Sequence, residues 1–286
     1  RLPLRGHAMI LLFAACYQLD GFFFAPLATD AYALGGSVIP ADCQELVDFE
    51  GKAGSLYGAW AHQPETNEVA CAAGEANPDA DVLLFFHGNS DNIDHYWQNV
   101  EFYWQSGFEV FVFDYRGYGR SAGSPDHDGV IADGAAAIDF VEDYTGLSST
   151  EMVFTGLSLG GFVSIHNVDK RPPRAFITED MFASAQTLLD QGTLLDMPSG
   201  WYFVSPFDNL AAAREIPAEV PYLVVHGEVD DYIQPENARL VYEAAASTTK
   251  ELYMVPGMDH AETVEKGADA YRPWLECWAR QDCPVE

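Results

Sequence analysis

The stretch TGLSLGGF, residues 155–162, lies between the apolar run EMVF (151–154) and VSIHNV (163–168). Val153 and Phe154 read as the end of a short buried strand, and the small residues Gly160, Gly161 and Ser164 let a following helix pack close to it. A sharp strand-to-helix turn between the two would hold Ser158 exposed. It would also place the N–H of Leu159 at a helix N-terminus, where partial positive charge can stabilise an oxyanion. The alternative is a glycine-rich turn containing an ordinary serine. With 24 glycines in 286 residues, chance supplies a G-x-S-x-G pattern roughly 0.1 times in such a chain. The pentapeptide alone leaves the two readings level, so its surroundings must decide.

Working outward, VLLFFHG (82–88) reads as a buried strand, NIDHYWQNVEFYWQSG as a helix with a glycine stop, and EVFVFDYRG as the next strand. A loop through GYGRSAGSPDHD leads to a helix through GVIADGAAAIDFVEDYTG, the strand MVFTG and the helix that begins at Ser158. The strands AFITE, YLVVHG and ELYMVPG follow, with the helix ENARLVYEAAAS before the last of them and a closing helix near ADAYRPWLECWAR. Alternating strands and helices imply an α/β fold with a mostly parallel central sheet covered on both faces. Ahead of residue 81, YALGG and LVDFEGKAGSLYGAWAHQP suggest peripheral antiparallel strands. Residues 181–215 form the one excursion from the alternation, sized for a small lid. Met181, Phe182, Trp201 and Tyr202 are candidates for an apolar wall over the site, with core packing as the alternative.

In such sheets ligands bind beyond the carboxyl ends of the strands. Polar residues gather there: VLLFF ends in HGNS, YLVVHG is followed by EVDDYIQPE, and ELYMVPG by MDHAE, in the chain order serine, acid, histidine. Jointly FFHGNSDNIDHYW, FDYRGYGRSAGSP, GLSLGG, HGEVDDYIQPENA and VPGMDHAE resemble the α/β-hydrolase superfamily, in the branch of serine hydrolases with an HGN oxyanion signature and a DYRGYG loop. The resemblance runs from about residue 80 to the end. It implies an α/β-hydrolase fold with Ser158 as nucleophile, Asp230 as acid and His260 as general base. It also implies an oxyanion hole formed by the N–H groups of Asn89 and Leu159. The implied activity is cleavage of carboxylic esters or thioesters through an acyl-enzyme, without metal or cofactor. A peptidase, a lysophospholipase or a catalytically silent surface-binding protein of the same fold are the alternatives.

Other residues compete for these roles. Asp231 adjoins Asp230, but the G-x-x-D spacing from Gly227 favours Asp230. Glu179 and Asp180, ending the preceding strand, are the reserve acids. Asp259 reads as a solvated loop carboxylate, and His87 and His226 as structural parts of strand-end H-G motifs. His95 reads as a helix-face residue, and Asp126, His127 and Asp128 as a capped helix start, with no metal expected. Arg116 and Asp114 are expected to brace the loop near the oxyanion hole.

The balance of 14 Lys+Arg against 44 Asp+Glu, a formal charge of −30, argues against nucleic acid because little here could neutralise phosphates. It favours adaptation to high salt over a merely solvated surface. Residues 1–20, RLPLRGHAMILLFAACYQLD, carry two arginines and the apolar run Ala8–Ala15. That run is too short to span a bilayer and suits the h-region of a secretory signal, with a buried strand or helix as the alternative. LFAAC resembles a bacterial lipoprotein signal, with Cys16 as the lipidated residue. The expectation is an exported, lipid-anchored protein at the periplasm or cell surface, one α/β domain over residues 21–286, acting on a small-molecule ester or acyl substrate. If Cys16 carries lipid, Cys43, Cys71, Cys277 and Cys283 remain. Cys43 with Cys71 and Cys277 with Cys283 is the favoured pairing of three, four free thiols being the alternative.

Overall fold

The computed structural model describes residues 23–34, 37–64, 71, 77, 80–191 and 205–283. The leader with Cys16, and Trp201 and Tyr202 of the expected lid, lie outside the described residues. Ten strands and eight α-helices occur among them. The strands are β1 (Ala25–Pro26), β2 (Gln44–Gly51), β3 (Gly54–Ala61), β4 (Asp81–Phe86), β5 (Ser90–Asp91), β6 (Phe108–Asp114), β7 (Val153–Leu157), β8 (Ala175–Glu179), β9 (Tyr222–Gly227) and β10 (Lys250–Val255). The helices are α1 (Ile93–Gln105), α2 (His127–Thr145), α3 (Leu159–Val168), α4 (Ala185–Gln191), α5 (Asn209–Ala213), α6 (Glu236–Ala244), α7 (Glu262–Glu265) and α8 (Ala268–Arg280).

Eight strands form one sheet in the order β10-β9-β8-β7-β4-β6-β3-β2. The β2–β3 hairpin and the β3–β6 pair are antiparallel, and every other neighbouring pair is parallel. Central strands such as β6 and β7 are buried along their whole length, which explains their continuous apolar runs. Alternate side chains still point to opposite faces. Leu84, Phe86 and Phe154 join α2, α3 and α6 in one core cluster, whereas Leu83, Phe85 and Val153 join α1 and α8 in another. The expected mostly parallel sheet with helices on both faces is what these clusters describe.

Helix starts follow from local chemistry. Asp126 caps α2 by accepting from Gly129 N at 2.9 Å, and Asn92 caps α1 by accepting from Asp94 N at 3.0 Å. Gly146 ends α2 in the left-handed conformation at φ 74°. Disulfides join Cys43 to Cys71 and Cys277 to Cys283. No helix among the described residues is long and apolar enough to cross a membrane. One feature departs from the sequence reading. Tyr32–Leu34 form no strand: Ala33 N donates to the Asp94 side chain at 2.8 Å instead of to a neighbouring strand, and the Tyr32 hydroxyl donates to Asp114 Oδ2 at 2.5 Å. Among its described residues, the excursion after Asp180 carries the short helices α4 and α5.

Candidate active site

β7 ends at Leu157 and α3 starts at Leu159, so Ser158 alone makes the turn, at φ 53° and ψ −109°. For a residue with a β-carbon this is a strained backbone, of the kind that persists where its surroundings fix it and that clusters at functional sites. Its surroundings do fix it. Ser158 N donates to Glu179 O at 2.8 Å, a β-carbon on Gly156 would lie 2.5 Å from Gly160 O, and one on Gly160 would lie 1.8 Å from Phe86 O. Gly156 and Gly160 are therefore dictated by close approach of α3 to β7 and to the end of β4. The Ser158 side chain makes no capping bond to α3, and the residue is 8% exposed.

Asp230 sits in the loop after β9. Its Oδ1 accepts from Tyr232 N at 2.9 Å and Ile233 N at 2.7 Å, and its Oδ2 faces His260 Nδ1 at 2.9 Å. Burial alone would push its carboxyl upward. The hydrogen bonds from His226 and His260 overcome that and hold it at about 2, so it is ionised near neutrality. His260, in the loop after β10, remains partly exposed and lies 4.9 Å from the ring of Tyr232, tilted by 55°. An ionised carboxylate on Nδ1 fixes the tautomer that leaves Nε2 free to take a proton.

The rival acids have other partners. Asp231 is exposed. Glu179 is buried, and its Oε1 accepts from Tyr103, Tyr271 and Thr155 at 2.7, 2.8 and 3.1 Å. Burial, only partly offset by the two tyrosine bonds, pushes it up to about 7. Asp180, at φ 48° and fully buried, accepts from Gly227 N at 2.8 Å and Ala261 N at 2.9 Å. It thus ties the start of the acid loop to the residue after His260. Asp259 is more than a solvated loop carboxylate: its Oδ1 accepts from His260 N at 2.7 Å and Asp231 N at 3.1 Å, linking the same two loops.

The HGN loop follows β4. His87 Nδ1 bonds Gly88 O at 2.7 Å and its Nε2 lies 3.2 Å from Asp114 Oδ1, while Arg116 grips Asp133 through Nε and Nη2 at 2.9 and 2.7 Å. Both are the bracing roles the sequence suggested. The Asn89 side chain is committed to structure: Nδ2 donates to Phe23 O at 2.6 Å, and Oδ1 accepts from Tyr118 Oη at 2.7 Å and Ala25 N at 3.1 Å. Sequence reasoning missed this partner segment. Residues 23–29 run across the HGN loop, with β1 pairing β5 and Thr29 N bonding Gly119 O at 3.0 Å. Phe23 stacks on Phe207 at 4.2 Å and meets Phe182 edge-on at 5.4 Å, and Phe162, one turn beyond Ser158, lies 5.1 Å from Phe207. Met181 packs against Gly161 instead. An aromatic wall therefore stands beside the elbow, built partly from a segment whose sequence carries no periodic signal.

Comparison with known proteins bears on the fold and the family. Residues 77–191 match the family described as serine aminopeptidase, S33. The α/β hydrolase domain-containing protein WAV2 of Arabidopsis thaliana is 31% identical over 210 residues, 66% of this chain and 67% of that one. The uncharacterised protein YfhR of Escherichia coli K12 is 28% identical over 238 residues, 80% of this chain and 78% of that one. Among solved structures, the esterase Pf2001 of Pyrococcus furiosus superposes with a TM-score of 0.70 at 17% identity, over 90% of this chain and 97% of that one. XC6422 of Xanthomonas campestris, described as an a/b serine hydrolase without lid, does so at 0.58 and 21%, over 86% and 98%. At those identities the two structures speak for the fold. With the strand order, the elbow and the relatives taken together, the chain belongs to the α/β-hydrolase superfamily, among its serine hydrolases.

Proposed function

We propose that the protein cleaves carboxylic esters or thioesters through an acyl-enzyme on Ser158, with His260 as general base and Asp230 as its orienting carboxylate. The observation that carries this reading is the conjunction of a serine held at φ 53° on a strand-to-helix turn with an Asp230–His260 pair at 2.9 Å. His260 Nε2 takes the Ser158 proton as Oγ bonds the acyl carbon. The same proton then goes to the leaving alcohol or thiol as the carbon–heteroatom bond breaks, and water repeats the sequence to release acid and serine. The N–H groups of Asn89 and Leu159 serve as oxyanion donors, each worth about 3 kcal/mol in the barrier. The wall of Phe23, Phe162, Phe182 and Phe207 takes the acyl chain, which favours short to medium acyl groups. Trp201 and Tyr202 are further candidates for that wall.

We also place the protein outside the cytoplasm, because two disulfides suit an oxidising compartment. Lipidation of Cys16 and tolerance of high salt belong to the same reading. A series of p-nitrophenyl esters from acetate to decanoate, run beside aminoacyl p-nitroanilides, tests the substrate class. Turnover of esters well above amides is expected; faster cleavage of the amides would favour a peptidase.

A further inference from the structure

A second histidine lies behind the Asp230–His260 pair, and the hydrolytic mechanism above does not use it. His226, next to the last residue of β9, is fully buried, as is Asp180, and Asp230 is 2% exposed. His226 Nε2 lies 2.7 Å from Ile233 O. A carbonyl oxygen only accepts, so Nε2 carries a hydrogen. That same nitrogen is 3.2 Å from Asp230 Oδ2, the oxygen that faces His260 Nδ1. His226 Nδ1 has no hydrogen-bond partner and stands 3.9 Å from Asp180 Oδ1.

These contacts favour the protonated ring. Unprotonated, Nδ1 would turn a lone pair toward a carboxylate oxygen in a dry interior, and two buried carboxylates would flank a neutral ring. Protonated, Nδ1 carries positive charge 3.9 Å from Asp180 Oδ1 while Nε2–H serves Ile233 and Asp230. Among the described residues no lysine or arginine pairs with either aspartate, whose ion-pair partners are histidines. The groups facing the ring are Asp180 from the end of β8 and Asp230 from the loop after β9, with His260 beyond Asp230. Glu179, beside Asp180, is turned to Tyr103 of α1 and Tyr271 of α8. Burial alone would lower the His226 imidazole; its bond to Asp230 and the charges of Asp180 and Asp230 raise it above the usual range instead. The atoms of this trio that could hold a cation are largely committed already, Asp180 Oδ1 to Gly227 N, Asp230 Oδ2 to His260 and Nε2 to Ile233.

We propose that His226 is a positioning residue, held as an imidazolium between Asp180 and Asp230, which shares the carboxylate that orients His260 and so limits the negative charge that His260 feels. The proposal rests on the hydrolase reading for its catalytic consequence and on the contacts of the buried ring for its charge state. If the cation is removed, two uncompensated carboxylates stabilise the protonated form of the general base, so that base becomes available only at higher pH.

Two measurements on the full chain separate these parts. Nitrogen-correlated NMR of the histidine rings, with the His226 signals identified by their loss in His226→Gln, reads the charge state without turnover. Hydrogen on both ring nitrogens of His226 from pH 6 to 8 is expected, and a singly protonated ring at pH 6 overturns the proposal. For catalysis, the acid limb of kcat/KM on a p-nitrophenyl ester should move up by about one pH unit in His226→Gln. A fall in kcat with the limb unmoved would assign the ring a merely structural role and overturn the proposal. Should His226→Gln not fold, Asp180→Asn takes its place: loss of the His226 Nδ1 proton near pH 7 is expected, and its retention contradicts the arrangement. A doubly protonated ring in a wild-type protein that turns over no ester would leave the charge state standing and remove the hydrolase reading alone.

Discussion

Asp230 and Asp231 are chain neighbours in opposite environments, one 2% exposed and bonded to His260, the other exposed. Asp230→Asn should lower kcat on a p-nitrophenyl ester by about 10⁴, because an amide can hold the wrong tautomer of the base. Asp231→Asn should change it less than about threefold; steady-state kinetics of the two variants check the assignment, and a reversal would move the acid to Asp231. Glu179 offers a pH-dependent test of the interior. Its folded-state carboxyl sits at about 7, above the ordinary 4.5, so the folded protein binds the proton more tightly than the unfolded chain. Stability should therefore fall as pH rises from about 4.5 through 7, by about 3 kcal/mol at most. Glu179→Gln, uncharged throughout, should gain stability relative to wild type between pH 5 and pH 8, as read by urea titration. A constant difference across that range would mean that Glu179 stays ionised. At this scale the sequence showed the residues that lie at strand ends in serine, acid, histidine order. It did not show the bracing by Asp180, the contact of His226 with the acid, or the place of Phe23, because each comes from chain segments far apart in sequence.

The elements were legible where hydrophobic period and caps agreed. The central strands of the large sheet fall on apolar runs, and α1 and α2 begin at the asparagine and aspartate caps that their sequences offer. The short pieces were not legible. β1, β5 and α7 have two to four residues, too few for a period to show, and they exist because neighbours supply their hydrogen bonds. The segment from Phe23 to Thr29 is the consequential one, since it pairs with β5 and puts an aromatic ring beside Phe182 and Phe207. If that ring lines the acyl site, Phe23→Ala should raise KM for a p-nitrophenyl octanoate several-fold while leaving the acetate within about twofold. Equal effects on both esters would instead assign Phe23 to packing of the HGN loop.

At the scale of the molecule the dominant quantity is the formal charge of −30. With 14 Lys+Arg against 44 Asp+Glu, most carboxylates lack a cation of their own, and the Debye length falls from about 30 Å at 0.01 M to about 3 Å at 1 M. Folding brings those charges together, so screening should stabilise the native state. The melting temperature should rise as NaCl increases across that range, NaCl being preferred to sulfate, which strengthens apolar burial in almost any protein. A flat or falling melting temperature would mean that the acidic surface needs no screening. The catalytic expectations hang on one claim, that the turn between β7 and α3 presents a nucleophile. A fluorophosphonate forms a stable adduct only with a serine whose hydroxyl is activated by a base. Mass spectrometry of the labelled protein should find one adduct, on Ser158, absent from Ser158→Ala and formed far more slowly in His260→Ala. Undiminished labelling of Ser158→Ala, or an adduct on another serine, would contradict the account.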